Sequence, residues 1–165
     1  MGYKGNNPNF YAYAHDPNSW VDLFGCSIFN PIAWTAPSSG TGLDYKVYQQ
    51  QINWDLPLTT KGGGTETNLD RALRGEVPFV VKNGRYEKIN LHHSKQSSKG
   101  PLFELSKSTH DRYYGSNALH PHLPNKNPLN PVDRALFDVD REAYWISRAE
   151  TVQKSRSISA VMCKK

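Results

Sequence analysis

Apolar and polar positions alternate most clearly between residues 77 and 93. Val77 to Val81 and Arg85 to His93 are two β-prone runs separated by Asn83-Gly84. Asn-Gly between such runs predicts a hairpin, because both residues accept the positive φ of a type I′ turn. Pro78 then has to sit at an edge or at a strand start. Along the second run Ile89, Leu91 and His93 share one parity, and Asn90 and His92 share the other. Unless a bulge intervenes, His92 and His93 face opposite sides of the sheet.

The helical period appears in three places. Thr67 and Asp70 form a capping-box pair ahead of Leu69, Ala72 and Leu73, and Gly75 suits the C-terminal end, so a short helix is predicted. Ser108-Thr109-His110-Asp111 is a second capping pattern. It predicts a helix from about Thr109 with His110 in its first turn. Asn130-Pro131-Val132-Asp133 opens the clearest helix, with Asn as cap and Pro at the first position. Leu136, Val139, Ala143 and Ile146 give its apolar stripe, and Arg134, Arg141 and Arg148 recur every seventh residue.

Between these elements Pro101-Leu102-Phe103-Glu104-Leu105 reads as a strand, and the four prolines of residues 121–131 as an extended loop. Residues 26–64 read as a linker with irregular segments. There Tyr45 to Ile52 fits strand and helix equally, and Lys61-Gly62-Gly63-Gly64 lacks the Lys-Ser/Thr end of a phosphate loop. Residues 151–165 read as a basic, Ser-rich tail with a frayed end.

Composition narrows the class. A chain of 165 residues suits one domain with an appendage. No run approaches the ~18 apolar residues of a membrane span, and the first residues lack the apolar core of a secretory signal. Cys26 and Cys163 are too few for a thiolate zinc knuckle, and two separate thiols are the expectation. Residues 1–81 hold five Lys or Arg against seven Asp or Glu, whereas residues 82–165 hold fifteen against eight. A polyanion would therefore meet the second half.

That half also holds five of the six histidines: His92, His93, His110, His120 and His122. Histidine is the commonest metal ligand and the side chain best suited to proton transfer near neutral pH. A ββα metal nuclease needs a divalent cation, a neutral imidazole to take a proton from water, and a group that holds the phosphate. Two strands and a helix in that order, with histidines on each side, meet the minimum.

Two resemblances sharpen this. Asn9-Phe10-Tyr11-Ala12-Tyr13, the turn His15-Asp16-Pro17-Asn18 and Trp20-Val21-Asp22-Leu23-Phe24-Gly25 resemble the end of the rearrangement-hotspot (Rhs) repeat core. The chain lacks that pattern's Pro after Asp22 and Leu after Gly25. Asn90-Leu91-His92-His93 with Gln96, Gly100-Pro101-Leu102 with Glu104-Leu105, His110, Leu119-His120, and Asp133-Arg134 through Tyr144-Trp145 with Arg148-Ala149 resemble the LHH branch of the HNH and endonuclease VII-like nucleases. The second resemblance spans about residues 65–150.

Together they imply an α+β fold with a ββα-metal core and additional helices. The organisation would be an Rhs junction at 1–25, a linker at 26–64, a nuclease domain at 65–150 and a tail at 151–165. Carried over by position, His92 and His120 are metal ligands and His93 is the general base. His110 is the third ligand or the orienting residue, and His122 competes with His120. Glu104 is a catalytic partner that fixes a histidine tautomer. Gln96, Lys95, Arg112 and Arg134 contact the substrate, with Lys99 as a further cation. Imidazole ligands favour Zn2+, with Mg2+, Ni2+ or Mn2+ as alternatives for activity. The implied setting is a toxin that hydrolyses DNA in the cytoplasm of a target bacterium. It would be delivered as a secreted effector by an Rhs shell and its secretion machinery, and neutralised by an acidic immunity protein. An RNase on the same scaffold, and a zinc-stabilised binding module without turnover, are the alternatives.

Overall fold

The computed structural model describes residues 29–162. The Rhs-like residues 9–25, together with Cys26 and Cys163, lie outside that range. The chain runs through β1 (Asn30–Thr35), β2 (Asp44–Gln49), β3 (Pro57–Thr59), β4 (Thr65–Thr67), α1 (Asn68–Leu73), β5 (Phe79–Lys82), β6 (Arg85–His93), a single 3-10 turn (Ser94–Gln96), β7 (Leu102–Ser106), α2 (Lys107–Arg112) and α3 (Arg134–Met162). Five strands form one sheet in the order β1-β2-β7-β6-β5, and β3 with β4 forms a separate ladder. Within the large sheet only β2 and β7 run parallel.

The β5–β6 hairpin turns through Asn83 (φ 50°) and Gly84 (φ 72°), the two positive-φ positions the dipeptide provides. Pro78 sits just before β5, and its carbonyl accepts the Ile89 N–H at 3.1 Å. On one face of the sheet Val47, Ile89, Leu91 and Leu102 pack with Phe137, Tyr144 and Trp145 of α3. On the other, Tyr48, Phe103 and Leu105 pack with Leu119. Each fully buried aliphatic side chain contributes about 1.5–3 kcal/mol by leaving water. The order strand, loop, strand, short helix over β6, β7 and α2 is the expected ββα core, within an α+β fold.

The α1 capping box forms as the sequence indicates. Asp70 N–H donates to Thr67 Oγ1 at 3.2 Å, and Thr67 N–H donates to Asp70 Oδ2 at 2.8 Å. The other two helices start elsewhere than expected. Ser106 caps α2, which places His110 fourth in the helix. Asp133, not Asn130, caps α3: its Oδ1 accepts the Ala135 and Leu136 N–H groups at 3.0 and 3.1 Å.

The helix also presents a different face. Leu136 and Val139 are 40% and 38% exposed, while Phe137, Asp140, Tyr144, Trp145 and Ala149 are buried. Two polar residues can occupy the inward face because each finds partners there. Asp140 accepts the Thr41 N–H at 3.0 Å and the Thr41 hydroxyl. Arg148 donates through Nε to Glu104 Oε1 at 3.0 Å and through Nη2 to the Gln50 carbonyl at 3.1 Å.

Two segments correct the organisation read from sequence. The linker assigned to 26–64 contains β1, β2 and β3, and β2 lies inside the large sheet with Tyr45, Val47 and Tyr48 buried. Thr60 to Gly64 is the β3–β4 turn, closed by Thr60 N–H donating to the Gly64 carbonyl at 2.8 Å. The tail begins as a continuation of α3 to Met162, tied back by Arg156 to both oxygens of Asp55 at 2.9 Å.

Two substitutions test this packing by urea denaturation. Glu104→Leu strands the partly buried Arg148 and should lower stability by about 3–5 kcal/mol. Gly40→Ala would place a Cβ 2.0 Å from Asp140 Oδ1 and should cost about 1–3 kcal/mol. Unchanged midpoints would contradict the inward face described for α3.

Candidate functional site

β6 keeps regular pairing to its end, with His92 opposite Phe103 and His93 opposite Leu102. No bulge intervenes, so the adjacent histidines part to opposite faces. His93 turns towards α3. It is 4% exposed, lies over Phe137 at a centroid distance of 4.1 Å, and meets Tyr45 edge-on at 5.7 Å. His92 turns to the other face, where its ring lies 4.9 Å from that of His110 and 4.6 Å from that of His120.

His92, His110 and His120 each offer one ring nitrogen, and the three lie within 4.8 Å of one another. α2 supplies His110. The turn after α2 supplies His120, whose N–H donates to the Ser116 carbonyl at 2.9 Å. The His120 Nδ1 lies 2.7 Å from the Tyr114 carbonyl. A carbonyl can only accept, so Nδ1 carries the proton and Nε2 keeps its lone pair. That Nε2 faces the His92 Nε2 at 2.9 Å.

Burial, reinforced by the neighbouring His110 and His120, pushes the His92 pKa down to about 3. Burial also lowers that of His120, against the pull of the Tyr114 carbonyl. Both rings are therefore neutral near pH 7, the form that ligates metal. Imidazole nitrogens sit ~2.0–2.1 Å from zinc, which puts neighbouring donors somewhat over 3 Å apart. Three convergent imidazoles fit a divalent cation.

His93 shares a pocket with this cluster. The pocket is lined by Leu91, His92, His93, Gln96, His120, Lys126, Val132, Arg134 and Phe137, with a volume of about 90 Å³. The His93 pKa falls to about 4, first from burial and then from the Arg134 guanidinium. Its Nε2 is buried without a hydrogen-bond partner. The same guanidinium also lowers His120, so Arg134 acts on both histidines.

The turn after β6 shapes the rim. Lys95 and Gln96 both take φ of 54°, in the left-handed region that non-glycine residues rarely enter. Gln96 then bridges to the following loop. Its Oε1 accepts the His122 N–H at 3.0 Å, and its Nε2 donates to the Asn125 carbonyl at 3.1 Å. This holds Lys126, which sequence reading did not single out, beside the pocket. The signal for it is indirect: a proline-broken loop that leaves His120 and must return to α3.

The remaining expected residues fall outside the pocket. His122 is not in the histidine cluster. Lys95 and Lys99 are exposed on the turn, and Arg112 is exposed with its guanidinium 5.5 Å from the Tyr113 ring centre.

Glu104 is a correction. It is fully buried and accepts hydrogen bonds from Gln50 N–H at 2.8 Å, from the Tyr144 hydroxyl and from Arg148, and among the described residues none from a histidine. Burial raises its pKa and Arg148 opposes the rise. Its work is to fasten β7 to α3 and to the end of β2.

Calorimetric titration of the full chain with Zn2+ should show one tight site. His92→Ala and His120→Ala should each weaken it by more than about 100-fold, and Glu104→Gln should leave it unchanged. Equal affinity in His120→Ala would remove that residue from the ligand set.

No solved structure matches this chain. Residues 67–151, just over half of its length, match the family described as LHH, a nuclease of the HNH/ENDO VII superfamily with conserved LHH. The tripeptide of that description stands here as Leu91-His92-His93 at the end of β6. With the pocket built around those histidines, the chain belongs to the LHH family of HNH/ENDO VII superfamily nucleases.

Proposed function

We propose that this chain is a metal-dependent endonuclease that hydrolyses DNA phosphodiester bonds, with His93 as general base. One observation carries the reading. A single pocket joins His92 and His120, two of the three convergent histidines, with His93 on the opposite face of the same strand end and the cations Arg134 and Lys126. Among the described residues Arg134 has no carboxylate partner, so its charge is left for an anion.

In this reading His92, His110 and His120 would hold the cation, and a divalent ion bound there would supply positive charge to offset the phosphate and the leaving oxygen. Arg134 and Lys126 bind the non-bridging oxygens, and Gln96 holds the loop that carries Lys126. His93 accepts a proton from a water molecule as the water oxygen bonds to phosphorus. The bond from phosphorus to the leaving sugar oxygen then breaks. Its depressed pKa keeps His93 neutral at pH 7 and able to take that proton. Histidine ligands make Zn2+ the ion expected on purification, with Mg2+, Ni2+ or Mn2+ able to support turnover.

The biological setting follows from the two resemblances together. The Rhs-like residues 9–25 precede the nuclease, the order used by toxins carried at the tip of an Rhs protein. We propose delivery into a target bacterium, neutralised in the producer by an acidic immunity protein that covers the basic second half. Contacts made mainly to phosphate discriminate poorly between DNA and RNA, so RNA cleavage is the competing outcome.

Incubation of the full chain with divalent ion and plasmid DNA should give nicked and linear products. His93→Ala should slow this by about 10²- to 10⁴-fold while Zn2+ affinity is kept. RNA run alongside decides the substrate. Expression in bacteria should fragment chromosomal DNA for the wild type only. Intact DNA and RNA with every ion tried would sink the enzyme reading and leave a binding module.

A further inference from the structure

A second cavity, of about 630 Å³, opens away from the histidine pocket, between the end of β2 and the β5 edge. Its walls combine Gln50, Gln51, Trp54, Val81, Lys82 and Arg148. Among the described residues neither Asp nor Glu lines it, and of its two cations Arg148 is paired with the buried Glu104 at 3.0 Å while Lys82 has no carboxylate within salt-bridge distance.

Gln50 is the informative residue. It is 6% exposed, and its main chain is clamped on both sides, with N–H donating to Glu104 Oε2 at 2.8 Å and its carbonyl accepting from Arg148 at 3.1 Å. Yet its side-chain Nε2 is buried with no hydrogen-bond partner. A buried donor without an acceptor is costly, and Gln50 is among the residues that line the cavity. Beside it the Arg148 guanidinium lies 5.4 Å from the Trp54 ring centre. The half-buried indole packs against the core and contributes its remaining surface to the cavity wall. Val81, 49% exposed, adds apolar wall. Lys82 runs from the cavity to Thr109, where its ammonium donates to Oγ1 at 2.9 Å, one residue before His110.

The lining therefore asks for a flat ring with carbonyl acceptors on its edge, carried on an anion. The volume lies within the ~300–1,000 Å³ of small-ligand pockets.

We propose that this cavity receives one unstacked base of the strand that is cleaved at the histidine cluster. The base stacks on Trp54 and offers a carbonyl to Gln50, and Lys82 steers the connecting backbone past α2. The inference rests on the nuclease reading above.

The test measures cleavage by the full chain, with a supporting divalent ion, on two substrates. One is a single-stranded DNA oligonucleotide. The other is bis(p-nitrophenyl) phosphate, a diester without a base. Trp54→Ala should raise KM for the oligonucleotide by roughly 5- to 150-fold, the range for losing one stacked base, with kcat and diester hydrolysis unchanged. Val81→Glu, at an exposed position, should act in the same direction without risk to the core. An abasic residue at one fixed distance from the cut should raise the wild-type KM and abolish the difference between wild type and Trp54→Ala. Unchanged KM in both variants overturns the proposal, as does an equal loss on both substrates, which would assign the residues to the fold. A wild type inactive on both substrates brings down the nuclease reading itself, and this inference with it.

Discussion

The β6–β7 ladder fixes where every reactive group can be. Antiparallel pairing with His92 opposite Phe103 and His93 opposite Leu102 leaves no slack in register. A slip of one residue would exchange the two histidines between faces. It would bring His93 to the side of α2 and His92 against Phe137. The proposed separation of duties between ligand and base is therefore a property of strand geometry before it is one of side-chain chemistry. Everything beyond the ladder serves to populate the two faces correctly. α2 and its following turn bring His110 and His120 to one side, and the start of α3 brings Arg134 and Phe137 to the other.

Register in turn depends on what clamps β7. Glu104, Tyr144, Arg148 and the backbone of Gln50 form one buried network that joins the central strand, the end of β2 and the middle of α3. Such a network adds little net stability compared with an apolar core of the same shape. It does specify position, since a carboxylate bonded to three partners tolerates only one placement. Arg148 belongs to this network, Arg134 to the pocket, and Arg141 pairs with Asp138 at 2.8 Å. Three arginines at heptad spacing thus have three unrelated environments.

Local signals in the sequence translate well and long-range ones do not. The Asn83-Gly84 turn, the parity of His92 and His93, the Thr67–Asp70 box and the ββα order are written in residues close to one another, and the fold follows them. The inward face of α3 is not, because Asp140 and Arg148 bury only when Thr41 and Glu104 arrive from far along the chain. Hydrophobicity alone selects Leu136 and Val139 instead. β2 is hidden for a related reason. Asp44 to Gln49 carries mixed polarity, and its burial follows from lying between β1 and β7 and under α3. At the site, the histidines are conspicuous as a cluster, and the structure takes three of them and leaves out His122. Glu104 looks catalytic beside them because a one-dimensional reading does not show that its carboxylate points into a sealed network. Lys126 has no local signature, since only the Gln96 bridge brings its loop to the pocket.

The paired left-handed residues Lys95 and Gln96 carry a consequence for how such a domain can change over time. Each non-glycine residue held at φ 54° stores strain of order 1 kcal/mol. Glycine at either position would relieve it, so selection for stability alone would drift towards glycine here. Glycine at 96 would also delete the amide that ties down the loop bearing Lys126. Rigidity of the rim and ease of the backbone are thus in opposition at adjacent positions. A lineage relaxed from selection on activity would be expected to lose the strained pair before it loses the core.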